Sequence, residues 1–146
     1  MNAKAVSVGA TGTTAGSPSG LDGPGIDVWT HRTTWPRSSA PRWPHPVFAE
    51  ITAQPTALFP SKTGDRALVN QDEMLARYPG MLGGKTGFTD LARKTFVGAA
   101  QRDGRRLVVV LMHGLIHEGG PTYWDQASAL LDWGFTQGHG SSVGAL

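Results

Sequence analysis

The stretch from residue 94 to residue 112 constrains the fold most strongly. Two apolar runs rich in β-strand formers, KTFVGAAQ and RRLVVVLM, are separated by Arg102-Asp103-Gly104. Asp-Gly between two such runs is a strong signal for a tight turn, because both turn positions need a positive φ. We therefore predict an antiparallel β-hairpin. The later run TYWDQASALLDWGF predicts an amphipathic helix that covers the hairpin. Its apolar positions at helical spacing are Tyr123, Trp124, Ala127, Leu130, Leu131 and Phe135.

Shorter elements precede this hairpin. VFAEITA, from Val47, predicts a short helix, and DEMLARY, from Asp72, predicts a helical turn or two that Pro79-Gly80 ends. Between them, PTALFPS and GDRALVNQ predict a second hairpin around Lys62-Thr63-Gly64. GGKTGFT, from Gly83, predicts a third strand of the main sheet. The regular part of the chain thus indicates an α/β fold with about three antiparallel strands and a C-terminal helix.

The two ends and one internal segment are less regular. MNAKAVSVG is compatible with the end of a helix, and the sequence that follows, up to Gly25, predicts a loop. Ile26 to Pro46 contains three of the five Trp and four of the ten Pro, so a helix cannot run through it. A loop of this length is unusual inside a compact domain. The 146 residues fit one domain, which we assign to residues 1–136 with 26–45 anomalous, and 137–146 form a tail.

Composition excludes several classes of function. A net charge of +2, without a block of Lys or Arg, does not indicate nucleic-acid or membrane binding. The absence of cysteine excludes disulfides and thiolate metal sites. The longest apolar run, Leu107 to Met112, is too short to span a bilayer, and the N-terminus lacks the apolar region of a signal peptide. A chain made as written is therefore expected in the cytoplasm.

Lys85-Thr86-Gly87 is the motif with the clearest chemical content, and three simple interpretations compete for it. The first is chance, since a second copy stands at Lys62 in a turn setting. The second is a phosphate-binding loop, but Pro79 occupies the position that needs Gly, and a strand-like run follows where a helix is required.

The third interpretation is a metal site nearby. His113 and His117 lie four residues apart, with Glu118 next. The order is not the His-Glu-x-x-His pattern of zinc peptidases, and the neighbouring glycines favour a loop. We therefore expect a solvated loop pair rather than a metal centre.

A fourth interpretation rests on the segments around the motif taken together. GMLGGKTGFTDLARKTFVGAAQRDGRRLVVVLM and YWDQASALLDWGF resemble serine D-alanyl-D-alanine carboxypeptidases of the penicillin-recognising superfamily, in the order of motif strand, hairpin, apolar strand and helix. SPSGLDGPG, from Ser17, and MNAKAVSVGATGT also resemble family segments. The resemblance covers residues 1–25 and 45 to about 135. It implies the C-terminal portion of a serine β-lactamase/DD-peptidase-like fold.

The resemblance implies a role for each motif residue. Lys85 and Thr86 would hold the carboxylate of the substrate or contact the catalytic hydroxyl network, since a cation and a hydroxyl make charge-assisted hydrogen bonds. Gly87 would keep the cleft open for the substrate backbone. The backbone N–H of Phe88 would contribute to an oxyanion hole. The family resemblance implies neither a metal nor a cofactor.

The resemblance also implies two motifs that these residues lack. The family uses a Ser-x-x-Lys, whose Ser attacks the substrate, and a Ser-x-Asn across the cleft. No Ser here has Lys three positions later, and neither Asn2 nor Asn70 has Ser two positions before it. In the family both motifs lie upstream of the segment that begins at Met1. We therefore expect an internal methionine at Met1, an inactive fragment without a catalytic nucleophile, and an open apolar edge on the RRLVVVLM strand.

The anomalous segment suggests a frameshift. The family resemblance implies a helix before the segment PVFAEIT. One GC-rich back-translation of residues 31–45 encodes an amphipathic helix when it is read two bases later. We hypothesise a local frameshift with the frame restored near His45. The codons of the gene itself test this hypothesis. If neither of the other two reading frames encodes an amphipathic helix over this segment, the hypothesis fails.

The resemblance implies hydrolysis of the terminal D-Ala of peptidoglycan stem peptides outside the cytoplasmic membrane. Stem peptides ending in D-Ala-D-Ala and β-lactams are the implied ligands. The alternative is a non-catalytic peptide-binding or interaction relic that retains only the carboxylate-binding strand.

Overall fold

A computed structural model of the chain describes residues 1–7, 9–30, 46–116 and 119–138. Helices and strands both contribute, as the α/β prediction requires. In chain order the elements are α1 (Asn2–Ser7), β1 (Thr13–Thr14), β2 (Trp29–Thr30), α2 (Pro46–Ala53), β3 (Thr56–Phe59), β4 (Arg66–Val69), α3 (Met74–Arg77), β5 (Met81–Thr89), β6 (Arg93–Arg102), β7 (Arg105–Gly114) and α4 (Tyr123–Thr136).

The main sheet is antiparallel, with strand order β5-β6-β7. The turn between β6 and β7 consists of Asp103 and Gly104, whose φ angles are 49° and 74°. These are the two positive-φ positions that an Asp-Gly hairpin turn requires, so the predicted hairpin is confirmed. Arg102 faces Arg105 at its closed end. All three strands extend beyond the predicted runs, and β5 begins at Met81 rather than Gly83.

Helix α4 packs against one face of this sheet. Phe96 from β6 is fully buried, and its ring meets that of Trp124 edge to face with centroids 5.1 Å apart. Leu130 is 46% exposed, although its helical spacing predicted a core position. The core consists of Met74, Tyr78, Phe96, Ala100, Val109, Leu111, Trp124, Ala127 and Leu131.

The start of α4 is fixed by a capping box. The hydroxyl of Thr122 accepts a hydrogen bond from the Asp125 N–H, and the Asp125 carboxylate accepts one from the Thr122 N–H at 2.7 Å. Two backbone donors that the helix cannot satisfy internally are thereby paired. The cap therefore sets where the helix begins on the sheet.

The second predicted hairpin is also confirmed. Strands β3 and β4 pair antiparallel, with Phe59 opposite Arg66. Lys62-Thr63-Gly64 lies in their connection, where Gly64 has a φ of 109°. Both strands are exposed along their whole length. This hairpin projects from the part of the chain that forms the core.

The N-terminal segment forms a small unit of its own. α1 leads into β1, and β1 pairs with β2 through Thr13–Thr30 and Thr14–Trp29. The prediction of an irregular segment from Ile26 was therefore wrong for Trp29–Thr30. Residues 31–45, where we hypothesise a frameshift, and residues 139–146 of the predicted tail lie outside the described residues.

A bulge distorts the far end of β7. Lys94 faces Gly114 and Phe96 faces Leu111, so two residues of β7 oppose one residue of β6. His113 lies in this bulge with a φ of 58°. The expected loop at His113 was wrong, because the apolar strand continues through it to Gly114. His117, its predicted loop partner, lies outside the described residues.

The outer edge of β7 is unpaired within the described parts of the chain. A groove of about 310 Å³ runs along it beside α4, lined in part by Leu107, Val108, Leu130 and Trp133. The open apolar edge expected from the sequence is present there. No helix in the described ranges is long and apolar enough to cross a membrane.

Candidate functional site

Strand β5 places the motif residues alternately on its two faces. Lys85 and Gly87 face the same side as their β6 partners Val97 and Thr95. Thr86 and Phe88 project to the opposite face, which is the side of Phe96 and helix α4. The four predicted site residues therefore project alternately to the two faces of one edge strand, yet all four line the same cleft beside it.

Lys85 is exposed and has no carboxylate partner among the described residues. The ion pairs there join Arg77 to Glu73 and Asp125, and Arg102 to Asp132. The Lys85 ammonium instead donates to the backbone carbonyl of Thr86. An ammonium that has only a neutral acceptor is available to an incoming carboxylate.

The hydroxyl of Thr86 is oriented by a side chain from outside the motif. It donates to Oε1 of Gln71 across 3.3 Å, from the connection between β4 and α3. The sequence analysis did not identify Gln71, because fifteen residues separate it from Thr86. This bond leaves the hydroxyl oxygen free to accept from a ligand or another donor.

Three glycines of β5, Gly83, Gly84 and Gly87, lie where a Cβ would come within 3.0 Å of a neighbouring atom. A Cβ on Gly87 would lie 2.6 Å from Oγ1 of Thr95, so the space that Gly87 leaves is used by its cross-strand partner. Gly83 has a φ of 115°, and a Cβ there would lie 2.5 Å from the carbonyl oxygen of Thr52 in α2. Helix α2 thus covers the start of β5, whereas Lys85 in the middle of the strand is exposed.

A cleft of about 960 Å³ opens on the Lys85 side of the strand. Its opposite wall is the segment from Ser17 to Asp22, which was singled out by sequence as part of the family resemblance. Trp29, 50% exposed, and His113 also line it. The sequence analysis did not identify Trp29 as a site residue, because its segment shows no regular periodicity. The aromatic residue in DVWT was the only sequence signal for it.

Asp72 is the most unusual ionisable group near the strand. It is 3% exposed; its Oδ1 accepts from the Met74 N–H, and no described group pairs with its Oδ2. Burial raises the pKa of this carboxyl, and the Met74 hydrogen bond opposes that effect. Burial also raises the pKa of Tyr123, aided by the negative charges of Glu73 and Asp72.

The phosphate-loop interpretation fits the structure less well. Strand β5 continues through Thr89, so no helix N-terminus follows Thr86 to bind phosphate. No cluster of three metal-ligating side chains occurs in the part of the chain that the structure describes, but His117 and Glu118 lie outside that part, so the metal interpretation is not tested. The second Lys-Thr-Gly lies in a hairpin turn, as predicted. The Ser61 hydroxyl there donates a hydrogen bond of 2.6 Å to the Gly64 carbonyl.

Comparison with known protein families identifies the class of protein to which this strand and cleft belong. The sequence model of the D-alanyl-D-alanine carboxypeptidases matches residues 1–115, and the chain belongs to that family. It is 58% identical over 146 residues to the D-alanyl-D-alanine carboxypeptidase DacB2 of Mycobacterium tuberculosis (strain ATCC 25618 / H37Rv). That match covers 100% of this chain and 50% of the relative.

Solved structures show the same fold. A D-alanyl-D-alanine carboxypeptidase from Mycobacterium tuberculosis H37Rv superposes with a TM-score of 0.84 at 55% identity, covering 99% of this chain and 55% of that one. A penicillin-binding protein of Listeria monocytogenes, solved with ampicillin bound, gives a TM-score of 0.67 at 27% identity over 92% of this chain and 53% of that one. The chain therefore spans about half the length of the relatives it matches, and its fold is the corresponding part of the DD-peptidase fold.

Proposed function

We propose that this chain supplies the substrate-carboxylate wall of a serine D-Ala-D-Ala carboxypeptidase site. The observation that carries the proposal is the position of Lys85 and Thr86 on an open edge strand, beside a large cleft, with no carboxylate paired to Lys85 within the described ranges. A peptide that ends in D-Ala presents one carboxylate at its terminus. Lys85 and Thr86 together offer that group an ammonium and a hydroxyl.

The chemistry of the whole site follows from this placement. With the terminal carboxylate held, the preceding peptide carbonyl lies near Gly87 and Phe88. The Phe88 N–H then donates to the oxygen that becomes negative when a serine hydroxyl adds to this carbonyl. When the intermediate collapses, the C–N bond breaks and the proton of the serine hydroxyl goes to the departing amine. D-Ala is released and an acyl-serine ester remains, which water hydrolyses. The same wall would receive the carboxylate of a β-lactam.

The attacking serine is not among these residues. No Ser here is followed by Lys at the third position, so the 146 residues alone are expected neither to release D-Ala nor to form a covalent penicillin adduct. Peptidoglycan stem peptides are the proposed substrate. Because these lie outside the cytoplasmic membrane, we propose that the reaction takes place there.

A chimera tests the function. The half of the Mycobacterium tuberculosis relative that this chain does not match is joined to these residues, and D-Ala release from acetyl-Lys(acetyl)-D-Ala-D-Ala is measured. We expect release, and we expect Lys85→Met to lower kcat/KM by about 10- to 100-fold, the cost of one hydrogen bond to a charged group. Lys62→Met is the matched control, since it changes the same three-residue motif in a remote turn. Equal loss in both variants, or no loss in either, would contradict the assignment.

The second candidate is a protein that binds the peptide without cleaving it. Such a protein needs only the carboxylate-binding strand that these residues contain. An isolated wall binds weakly because the opposing walls of the cleft are needed to enclose a ligand. A chimera that binds acetyl-Lys(acetyl)-D-Ala-D-Ala but releases no D-Ala would support this candidate over the enzyme.

A further inference from the structure

Strand β5 borders a second cleft on its other side. This cavity of about 620 Å³ shares Thr86, Gly87 and Phe88 with the Lys85 cleft. Its remaining walls come from the β4–α3 connection, from β6 and from the start of α4. The residues that matter for its chemistry are Val69, Gln71, Glu73, Lys94 and Tyr123.

Lys94 is the central group of the second cleft. It lies directly across from Phe88 in the β5–β6 register, so both side chains project to the same face. Its ammonium lies 4.9 Å from the Phe88 ring centroid and 5.8 Å from that of Tyr123. Two aromatic rings therefore hold this cation at the wall of the cleft.

Glu73, the acidic group that lines this cleft, already has a partner. Glu73 pairs with Arg77 at 3.1 Å, and Arg77 also reaches Asp125 at 3.4 Å. Asp72 is buried, with its carboxylate turned to the Met74 N–H. None of the ion pairs within the described ranges includes Lys94. Lys94 is thus the cation of this cleft that lacks a carboxylate.

The remaining lining suits a side chain rather than a free ion. Gln71 uses its Oε1 to accept from Thr86, which leaves its amide hydrogens as donors. Val69 is 75% exposed and forms an apolar rim. An apolar rim, an amide donor and a stacked ammonium together match an aliphatic side chain that ends in a carboxylate.

We propose that the second cleft is a subsite for an acidic side chain on the peptide that binds along β5. The inference rests on the proposed function, because it requires a peptide whose terminal carboxylate lies at Lys85. Since both clefts share Thr86 to Phe88, a peptide on this edge passes the mouth of each. The residue that precedes the D-Ala pair is the one whose side chain reaches Lys94.

The test is a titration of the ¹⁵N-labelled chain with two peptides followed by amide chemical shifts. Acetyl-L-Glu-D-Ala-D-Ala and acetyl-L-Gln-D-Ala-D-Ala have the same length and differ only in the carboxylate. We expect both to shift the amides of Lys85 to Phe88. We also expect the Glu peptide to bind about two- to fivefold more tightly, the range of a solvent-exposed ion pair.

Variants assign the preference to Lys94. The preference for the Glu peptide is expected to disappear in Lys94→Met. It is expected to persist in Lys94→Arg, which keeps the charge over the rings, and in the remote control Lys62→Met. Equal affinities for the two peptides, with shifts at β5, would overturn the subsite alone. The absence of shifts at β5 with either peptide would overturn the proposed function and the subsite with it.

Discussion

Arg93 occupies a backbone conformation that side chains disfavour, and this gives a quantitative prediction. It follows the three-residue connection after Thr89, pairs with Thr89 and has a φ of 59°. For a residue with a Cβ, this left-handed conformation costs about 1–2 kcal/mol. Glycine avoids that cost but loses about 0.5–1 kcal/mol through its greater freedom in the unfolded chain. Arg93→Gly is therefore expected to raise the free energy of unfolding by roughly 0.5–1 kcal/mol.

Urea unfolding followed by tryptophan fluorescence measures this gain. With an m-value of about 2 kcal/mol/M, the midpoint should rise by roughly 0.3–0.5 M at unchanged m. Arg93→Ala is the matched control, because it removes the same charge and long side chain but keeps the Cβ. We expect no comparable gain from it. If alanine stabilises as much as glycine, or if glycine destabilises, the backbone argument is refuted.

Three further predictions follow from single contacts. Asp72→Asn keeps the acceptor for the Met74 N–H but removes a buried charge. Burial raises the pKa of Asp72, so the contribution of this carboxyl group to stability falls as the pH rises above 3.8, its ordinary pKa. The variant should be more stable than wild type by about 1 kcal/mol at pH 7 and equal to it near pH 3, which unfolding at the two pH values checks. Thr122→Ala breaks the capping box and should cost about 1 kcal/mol by urea unfolding; an unchanged midpoint would show that α4 does not depend on its cap. Gly87→Ala should destabilise by about 1–3 kcal/mol through the 2.6 Å approach to Thr95, and adding Thr95→Ala should recover most of that loss if this contact is the cause.

The main hairpin, its turn and the covering helix were predictable because their signals are local. Asp103-Gly104 specifies a turn by backbone preference, and the apolar spacing of α4 specifies which face is buried. Leu130 was the exception, since helical spacing cannot show that the sheet ends beside it and leaves an open groove. The assignment of residues 1–136 to one domain and 137–146 to a tail stays a prediction.

The site was predictable in part. The resemblance carried by Lys85-Thr86-Gly87 and its neighbouring segments led to the correct family and to the strand. The roles of Lys85, Thr86, Gly87 and the Phe88 N–H stay predictions. Sequence did not show that Gln71 orients Thr86, since that contact joins separate elements. His113 was placed wrongly in a loop because a β-bulge, unlike a turn, has no strong local signal.

The central claim is that Lys85 and Thr86 recognise a terminal carboxylate. The most direct measurement compares acetyl-D-Ala-D-Ala with its C-terminal amide in amide chemical-shift titrations of the ¹⁵N-labelled chain. The account predicts that the acid shifts the amides of Lys85 to Phe88 more strongly and at lower concentration than the amide peptide, while Lys62 to Gly64 stay unmoved. Identical shifts for acid and amide, or shifts concentrated away from β5, would contradict it.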